Sequence, residues 1–385
     1  MSRLAAFLYL ATLALLPWGG IVPFPWLHAN AQWSDAVFAL AALAWGAGLV
    51  ASRRFPRLRL VHAALGLYLG WAAVSLLAAD PRPGSGPAKL LGLAMLVALM
   101  VVTSEMARRP GMLRAIARTV AATSLLTALA ALGGVALSLA GVVTPLVGTC
   151  GDLLPGPLSR AQAGFPHPNL LASYCIFASG VVAWPSAGLS RRLRGLVLAA
   201  LTVTVLLTFS RAILAFALAA AIRGACTAQR RTLVKALAAV LVVAMVALTV
   251  VHVTFSPARP WAPQVRSGPS PRMEATATSL ETLGLHPLLG TGPGSTPGRR
   301  GDQAFDAHHT PLNVAATLAL PALLGLLLVP VALWRARRRP TDRALWGMLA
   351  GLALDGLAQD VEDFRHLWVA FGLADADRQE SSPSP

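Results

Sequence analysis

Apolar runs close to twenty residues long recur along nearly the whole chain, separated by short polar segments. Wound as a helix, such a run crosses a hydrocarbon core of about 30 Å. Helices are the form it must take, because lipid offers no partner for a backbone N–H or C=O. The ten-residue alternation of a membrane β-barrel is absent from the sequence. The pattern predicts spans at about 4–24, 34–51, 60–79, 87–105, 117–143, 168–188, 195–209, 212–223, 233–255, 312–334, 344–358 and 364–375. The eighth, eleventh and twelfth are short, and one of them could be re-entrant. The expected fold class is therefore an all-α integral membrane protein, a bundle of about 12 transmembrane helices. One polytopic domain covers 1–375, and an acidic tail ending in Ser and Pro (376–385) reads as a frayed terminus. The first run also resembles a signal peptide, with Arg3 ahead of it and Ala29-Asn30-Ala31 as a small-residue cleavage pattern. It is longer than a usual signal core, which favours an uncleaved first helix.

Composition agrees. Of 385 residues, 56% are hydrophobic and 12% charged, with a mean hydropathy of +0.63. A soluble domain carries about 25% charged residues. The net charge of +16 would suggest a nucleic-acid partner in a soluble protein, but its distribution points elsewhere. With the N-terminus in the cytoplasm, 22 of the 32 basic residues fall in cytoplasmic segments, among them Arg53 to Arg59, Arg108 to Arg118, Arg191 to Arg194, Arg223 to Lys235 and Arg335 to Arg343. That is the positive-inside distribution, and shifting the count by one helix inverts it. No nucleic-acid partner is expected. The outer face then receives two sizeable loops, about 144–167 and about 256–311, the second between the ninth and tenth spans and containing a possible short helix from Arg272 to Leu283. Cys150, Cys175 and Cys226 have no metal-ligand spacing and fall on the outer side, within a helix and on the cytoplasmic side, so all three read as structural.

The polar residues able to do chemistry gather on the outer side. Arg211, in Thr208-Phe209-Ser210-Arg211, lies between two apolar runs with almost no loop to place it in water. A guanidinium there either snorkels to the interface or lines a polar cavity as an anion site. Its planar fork matches phosphate oxygens and keeps its charge at any ordinary pH. Arg272 opens the expected short helix, and Gly290-Thr291-Gly292-Pro293-Gly294 follows it. Such a turn permits close backbone approach to a ligand or simply returns the loop to the membrane, and it lacks the Lys-Ser/Thr ending of a P-loop. His308 and His309 precede the tenth span, where a histidine can act as a general base or be ordinary surface. No metal-ligand spacing accompanies them, so no metal or other cofactor is expected. Arg160, His167 and Asn169 stand around the start of the sixth span. There His167 and Asn169 could bind a polar head group, or Asn169 could cap the helix. The acidic turn Gln359 to Trp368 is either a solvated hairpin or the source of a carboxylate for His308 or a site arginine. His28, His62, His252 and His286 read as structural.

Four blocks in this order resemble the O-antigen ligase family, which includes related glycan polymerases and protein oligosaccharyltransferases. They are Gly164 to Tyr174, Leu207 to Ala212, Arg272 with Pro287 to Gly294, and Ala307 to Leu312 followed by the Leu-Pro-Ala-Leu-Leu-Gly helix at 320–325. The resemblance covers about 150–375, with 1–145 matching only in kind. It implies a metal-independent, inverting glycosyltransferase of the bacterial inner membrane, its active site facing the periplasm. The donor would be an undecaprenyl-diphosphate-linked glycan, and the acceptor a lipid A core or a growing glycan. Carried over, Arg211 and Arg272 match the family's two essential arginines and His308 its histidine. Arg160, His167, Asn169, His309, Gly292 and Gly294 become candidate substrate contacts. Two departures bear on the acceptor side. His309 stands where Asn is usual and Pro311 where an aromatic is common, so either histidine could be the base. A polymerase of the same family is an alternative. So is a lipid-linked sugar transporter, although no internal repeat is visible and the polar residues lie on one side. A non-catalytic scaffold would call for a folded soluble domain, and none is legible.

Overall fold

The computed structural model describes residues 3–20, 31–53, 59–79, 83–149, 159–224, 271–300, 303–305, 307–336 and 343–377. The ninth expected span, the first part of the second outer loop, the C-terminal tail and Cys150, Cys226, His28 and His252 lie outside the described residues. What is described is mostly helical: α1 (Arg3–Leu15), α2 (Trp33–Ser52), α3 (Leu60–Ala78), α4 (Gly86–Ala107), α5 (Met112–Leu139), α6 (Pro168–Ala183), α7 (Arg191–Leu207), α8 (Ala212–Gly224), α9 (Pro271–Leu285), α10 (Thr310–Leu318), α11 (Leu320–Arg335), α12 (Arg343–Asp355) and α13 (Arg365–Ala376). Among the described residues, α2, α3, α4 and α5 are long and apolar enough to cross a membrane. Residues Arg3–Trp18, together with α6, α8 and α11, form shorter apolar helices. Helix α9 matches the short helix expected from Arg272 to Leu283. Among the described residues two short antiparallel strand pairs accompany the helices, β1 (Val147–Thr149) with β2 (Ser159–Ala161), and β3 (Arg299–Arg300) with β4 (Gln303–Ala304).

Helices pair closely as α3 with α11, α8 with α12, α4 with α13 and α1 with α2. Between helices surrounded by apolar solvent, attraction comes mainly from van der Waals contact, which small residues permit by letting backbones approach. A Cβ on Gly351 would stand 2.9 Å from the Ala215 carbonyl oxygen, and one on Gly372 would stand 2.5 Å from that of Met100. Helix α1 is tied into the bundle, since buried Tyr9 donates from its hydroxyl to Thr103 Oγ1 at 2.9 Å.

The span expected at 312–334 is not one helix. It breaks at Ala319, which takes φ +78°. Pro321 is the cause: its nitrogen has no proton for the Thr317 carbonyl and its ring crowds that oxygen. The freed carbonyls are used by other segments. Thr317 O accepts from Gly292 N at 2.9 Å and Ser75 Oγ at 2.9 Å, and Ala316 O accepts from Thr291 N at 3.1 Å. Helix α6 likewise stops at Ala183, short of the expected 188, because Pro185 follows.

Electrostatics divide the bundle into two ends. At one end, buried Asp375 near the close of α13 meets Arg108 just after α4 at 2.8 Å and Arg59 just before α3 at 3.6 Å. At the other, Lys89 in the first turn of α4 pairs with Asp363, and Arg365 pairs through two nitrogens with Asp35 in the first turn of α2. Close contact at the helix crossings makes a prediction. Gly372→Leu should cost about 1–3 kcal/mol by overpacking and lower the thermal midpoint in detergent. Gly70→Leu should not, because a Cβ there meets nothing within 4 Å. Equal midpoints for the two variants would contradict this packing.

Candidate functional site

The end that carries the 355–365 turn also holds the expected site residues. Helix α7 closes at Leu207 and α8 opens at Ala212, so the chain reverses over four residues, with Phe209 at φ +47°. This tight reversal leaves Arg211 exposed at the surface of a cavity. Arg160 reaches the same place from β2. Its Nε donates to the Thr208 carbonyl at 2.7 Å, an oxygen left over where α7 ends, and its Nη2 donates to Asn169 Oδ1 at 2.7 Å. Arg272 arrives from the first turn of α9.

These three arginines line one cavity of about 140 Å³ together with Asn169, Phe209, Ser210, Ala212, Asp355, Ala358 and Gln359. Three helix N-termini open onto it, since Asn169, Ala212 and Arg272 stand in the first turns of α6, α8 and α9. Helix N-termini carry partial positive charge, here with Asn169 N and Ala212 N already taken by His167 Nδ1 and Ser210 Oγ. With three guanidiniums against one lining carboxylate, Asp355, the cavity favours an anion. Its size and forked donors suit phosphate oxygens.

Asp355 is buried, accepts from the Gln359 side-chain amide, and also meets Ser173, whose hydroxyl lies 3.0 Å from His366 Nε2. Sequence reading missed Asp355, which belongs to no motif, and gave no role to Ser173, although it stands within the Gly164 to Tyr174 block. The available signal was a carboxylate at the end of an apolar run, four residues before Gln359. The acidic turn is no solvated hairpin. Asp360 accepts from the Asn313 amide, Asp363 pairs with Lys89, and buried Glu362 receives the Tyr68 hydroxyl.

Two expectations about local roles are corrected. Asn169 does not cap α6. His167 does, its Nδ1 accepting from Asn169 N at 3.1 Å, while the Asn169 side chain is taken by Arg160. Gly292 and Gly294 do not line the arginine cavity. They hold positive φ while the loop packs on the α10–α11 break, and Cβ atoms there would meet Ala79 at 2.9 Å and Ser85 Oγ at 2.6 Å. Their use is to satisfy the carbonyls freed by Pro321.

The histidines separate by environment. His309 caps α10, its Nδ1 accepting from Leu312 N at 3.3 Å. His308 adopts φ +51°, a left-handed conformation costly for a non-glycine residue, and its ring meets Phe305 edge-on at 5.8 Å. His167 lies within electrostatic reach of His308, Arg160 and Arg272. Burial above all, then the Arg160 guanidinium and the neighbouring His308 and Arg272, depress the His167 pKa below its usual value. Its imidazole is therefore neutral at neutral pH. No protein-family model matches the chain, and no curated protein matches it.

Arg160→Ala should raise the His167 pKa part of the way towards its ordinary value, because one opposing cation is removed while burial remains. Histidine side-chain NMR on protein in micelles measures that midpoint. An unchanged midpoint would mean that the two residues do not share a field.

Proposed function

We propose that the protein is a multi-pass bacterial inner-membrane glycosyltransferase of the O-antigen ligase type, acting at the periplasmic surface. It moves a glycan from an undecaprenyl-diphosphate carrier to an acceptor hydroxyl on a lipid A core or a growing glycan. The observation that carries this reading is the convergence of Arg160, Arg211 and Arg272 with three helix N-termini on one cavity. The arginine-rich segments around Arg59 and Arg108 are tied to the opposite end of the bundle. The positive-inside rule makes that end cytoplasmic and the cavity periplasmic. In this reading the bundle has about twelve spans, including the one at 233–255.

The chemistry follows from the charges. The acceptor oxygen bonds to the anomeric carbon from the face opposite the diphosphate, so the configuration inverts. The carbon–oxygen bond to the diphosphate breaks, and its electron pair leaves with the phosphate oxygen. Three guanidiniums lining the cavity stabilise that developing charge, Arg160 from a position already set by Thr208 and Asn169. His308 takes the proton from the acceptor hydroxyl. It is preferred to His309 because His309 Nδ1 is occupied in capping α10, while His308 lies within electrostatic reach of His167, as Arg160 and Arg272 do. The arginines supply the positive charge, so the reaction needs no metal.

Purified protein supplied with an undecaprenyl-diphosphate-linked glycan, candidate acceptors and EDTA should release undecaprenyl diphosphate and form a heavier glycoconjugate. Arg211→Ala, Arg272→Ala and His308→Ala should each lower transfer about 100-fold or more while inserting normally. Normal transfer by these variants would contradict the assignment. Movement of lipid-linked sugar across a vesicle bilayer with no diphosphate release would establish a transporter instead.

A further inference from the structure

A second cavity, of about 180 Å³, opens where the first turns of α2 and α4 meet the 355–365 turn. Its apolar wall is one face of α4, formed by Ala88, Leu91, Gly92, Met95 and Leu96. Leu91 is 69% exposed, and among the described residues a Cβ on Gly92 would meet nothing within 4 Å, so this face is a groove and not a packed seam. Over Ala88 to Leu96 the groove runs about 12 Å along the helix, starting at the helix end where chain and head group of a bilayer lipid meet.

The polar rim consists of four charges in two pairs. Lys89 Nζ donates to both oxygens of Asp363, at 2.5 and 2.6 Å, and Arg365 donates through Nε and Nη2 to the two oxygens of Asp35. Side-chain exposures of 20% for Lys89 and 37% for Asp363 leave that pair reachable from outside. Two cations and two anions sum to zero, so the rim has no net attraction for an anionic head group, in contrast to the arginine cavity. It offers a positive and a negative edge side by side. That arrangement complements a head group carrying a phosphate and a primary ammonium a few ångströms apart, each able to share one of the existing pairs.

We propose that this groove is a binding site for a zwitterionic phospholipid of the phosphatidylethanolamine kind. The acyl chain lies along α4 beside Gly92. The phosphate faces Lys89 and Arg365, and the ammonium faces Asp35 and Asp363. Because Asp363 and Arg365 belong to the turn that also supplies Ala358 and Gln359 to the arginine cavity, the bound lipid braces that turn. The site stands apart from the glycan-transfer reading and does not depend on it.

The test uses delipidated full-length protein, titrated in native mass spectrometry with phosphatidylethanolamine and, separately, with phosphatidylglycerol of the same acyl chains. Phosphatidylethanolamine should bind at least tenfold more tightly and raise the thermal midpoint. Gly92→Phe, which fills the groove without touching the charged rim, should weaken that binding tenfold and abolish the rise. Ala88→Phe, at an exposed position on the same wall, should do the same and serves if the first variant folds poorly. Equal affinity for the two lipids, or unchanged phosphatidylethanolamine binding in a folded groove variant, would overturn the proposal.

Discussion

Guanidinium groups cannot shed their charge at any ordinary pH, so three of them facing one small cavity repel each other until something neutralises the space between them. Much of the described architecture at that end serves to hold them there. Arg160 is fixed by the carbonyl that α7 leaves unpaired at Thr208 and by the amide of Asn169. Arg211 is set at the cavity by the four-residue reversal between α7 and α8, with its side chain exposed. Asp355 and Gln359 close the cavity from below as one hydrogen-bonded pair, and Asp355 is the one carboxylate in the lining. A cavity with this surplus of positive charge is what the proposed transfer from a diphosphate carrier would require.

Irregular backbone in the described bundle is satisfied by neighbouring segments. Pro321 breaks a helix and orphans two carbonyls, which would be costly in lipid. The loop bearing Gly290, Gly292 and Gly294 supplies the missing N–H groups, approaching so closely that a Cβ on Gly290 would stand 2.3 Å from Thr317 O. Ser75 on α3 satisfies Thr317 O as well. The 355–365 turn is held in the same manner, by Tyr68, Lys89, Asn313 and Asp35 from four other segments. Arg160 and the turn are therefore positioned by contacts from other segments of the bundle.

How much of this was legible in the sequence depended on the range of the interaction. Apolar run length is local, so α2 to α5 and the short helix at 271–285 were readable with small errors at their ends. Arg211 was readable because a cation between two apolar runs has few places to go. Arg160 and Asn169 were readable as candidates, but their hydrogen bond was not, since it joins a strand to a helix start nine residues away. Gly292 and Gly294 misled, because a glycine needed for close approach looks the same whether the neighbour is a ligand or a helix. Asp355 was invisible, since a carboxylate ending an apolar run carries no motif and only its tertiary neighbours give it meaning. The split of 312–334 was signalled by Pro321 and obscured by the strongly apolar residues around it.

The most direct measurement of the central claim is the binding of undecaprenyl diphosphate against undecaprenyl phosphate to purified protein, in wild type and in the Arg211→Ala/Arg272→Ala double variant. If the three arginines form a diphosphate site, wild type binds the diphosphate at least tenfold more tightly than the monophosphate, and the double variant loses that preference. Equal affinity for the two lipids in wild type, or a preference retained without both arginines, would contradict the account.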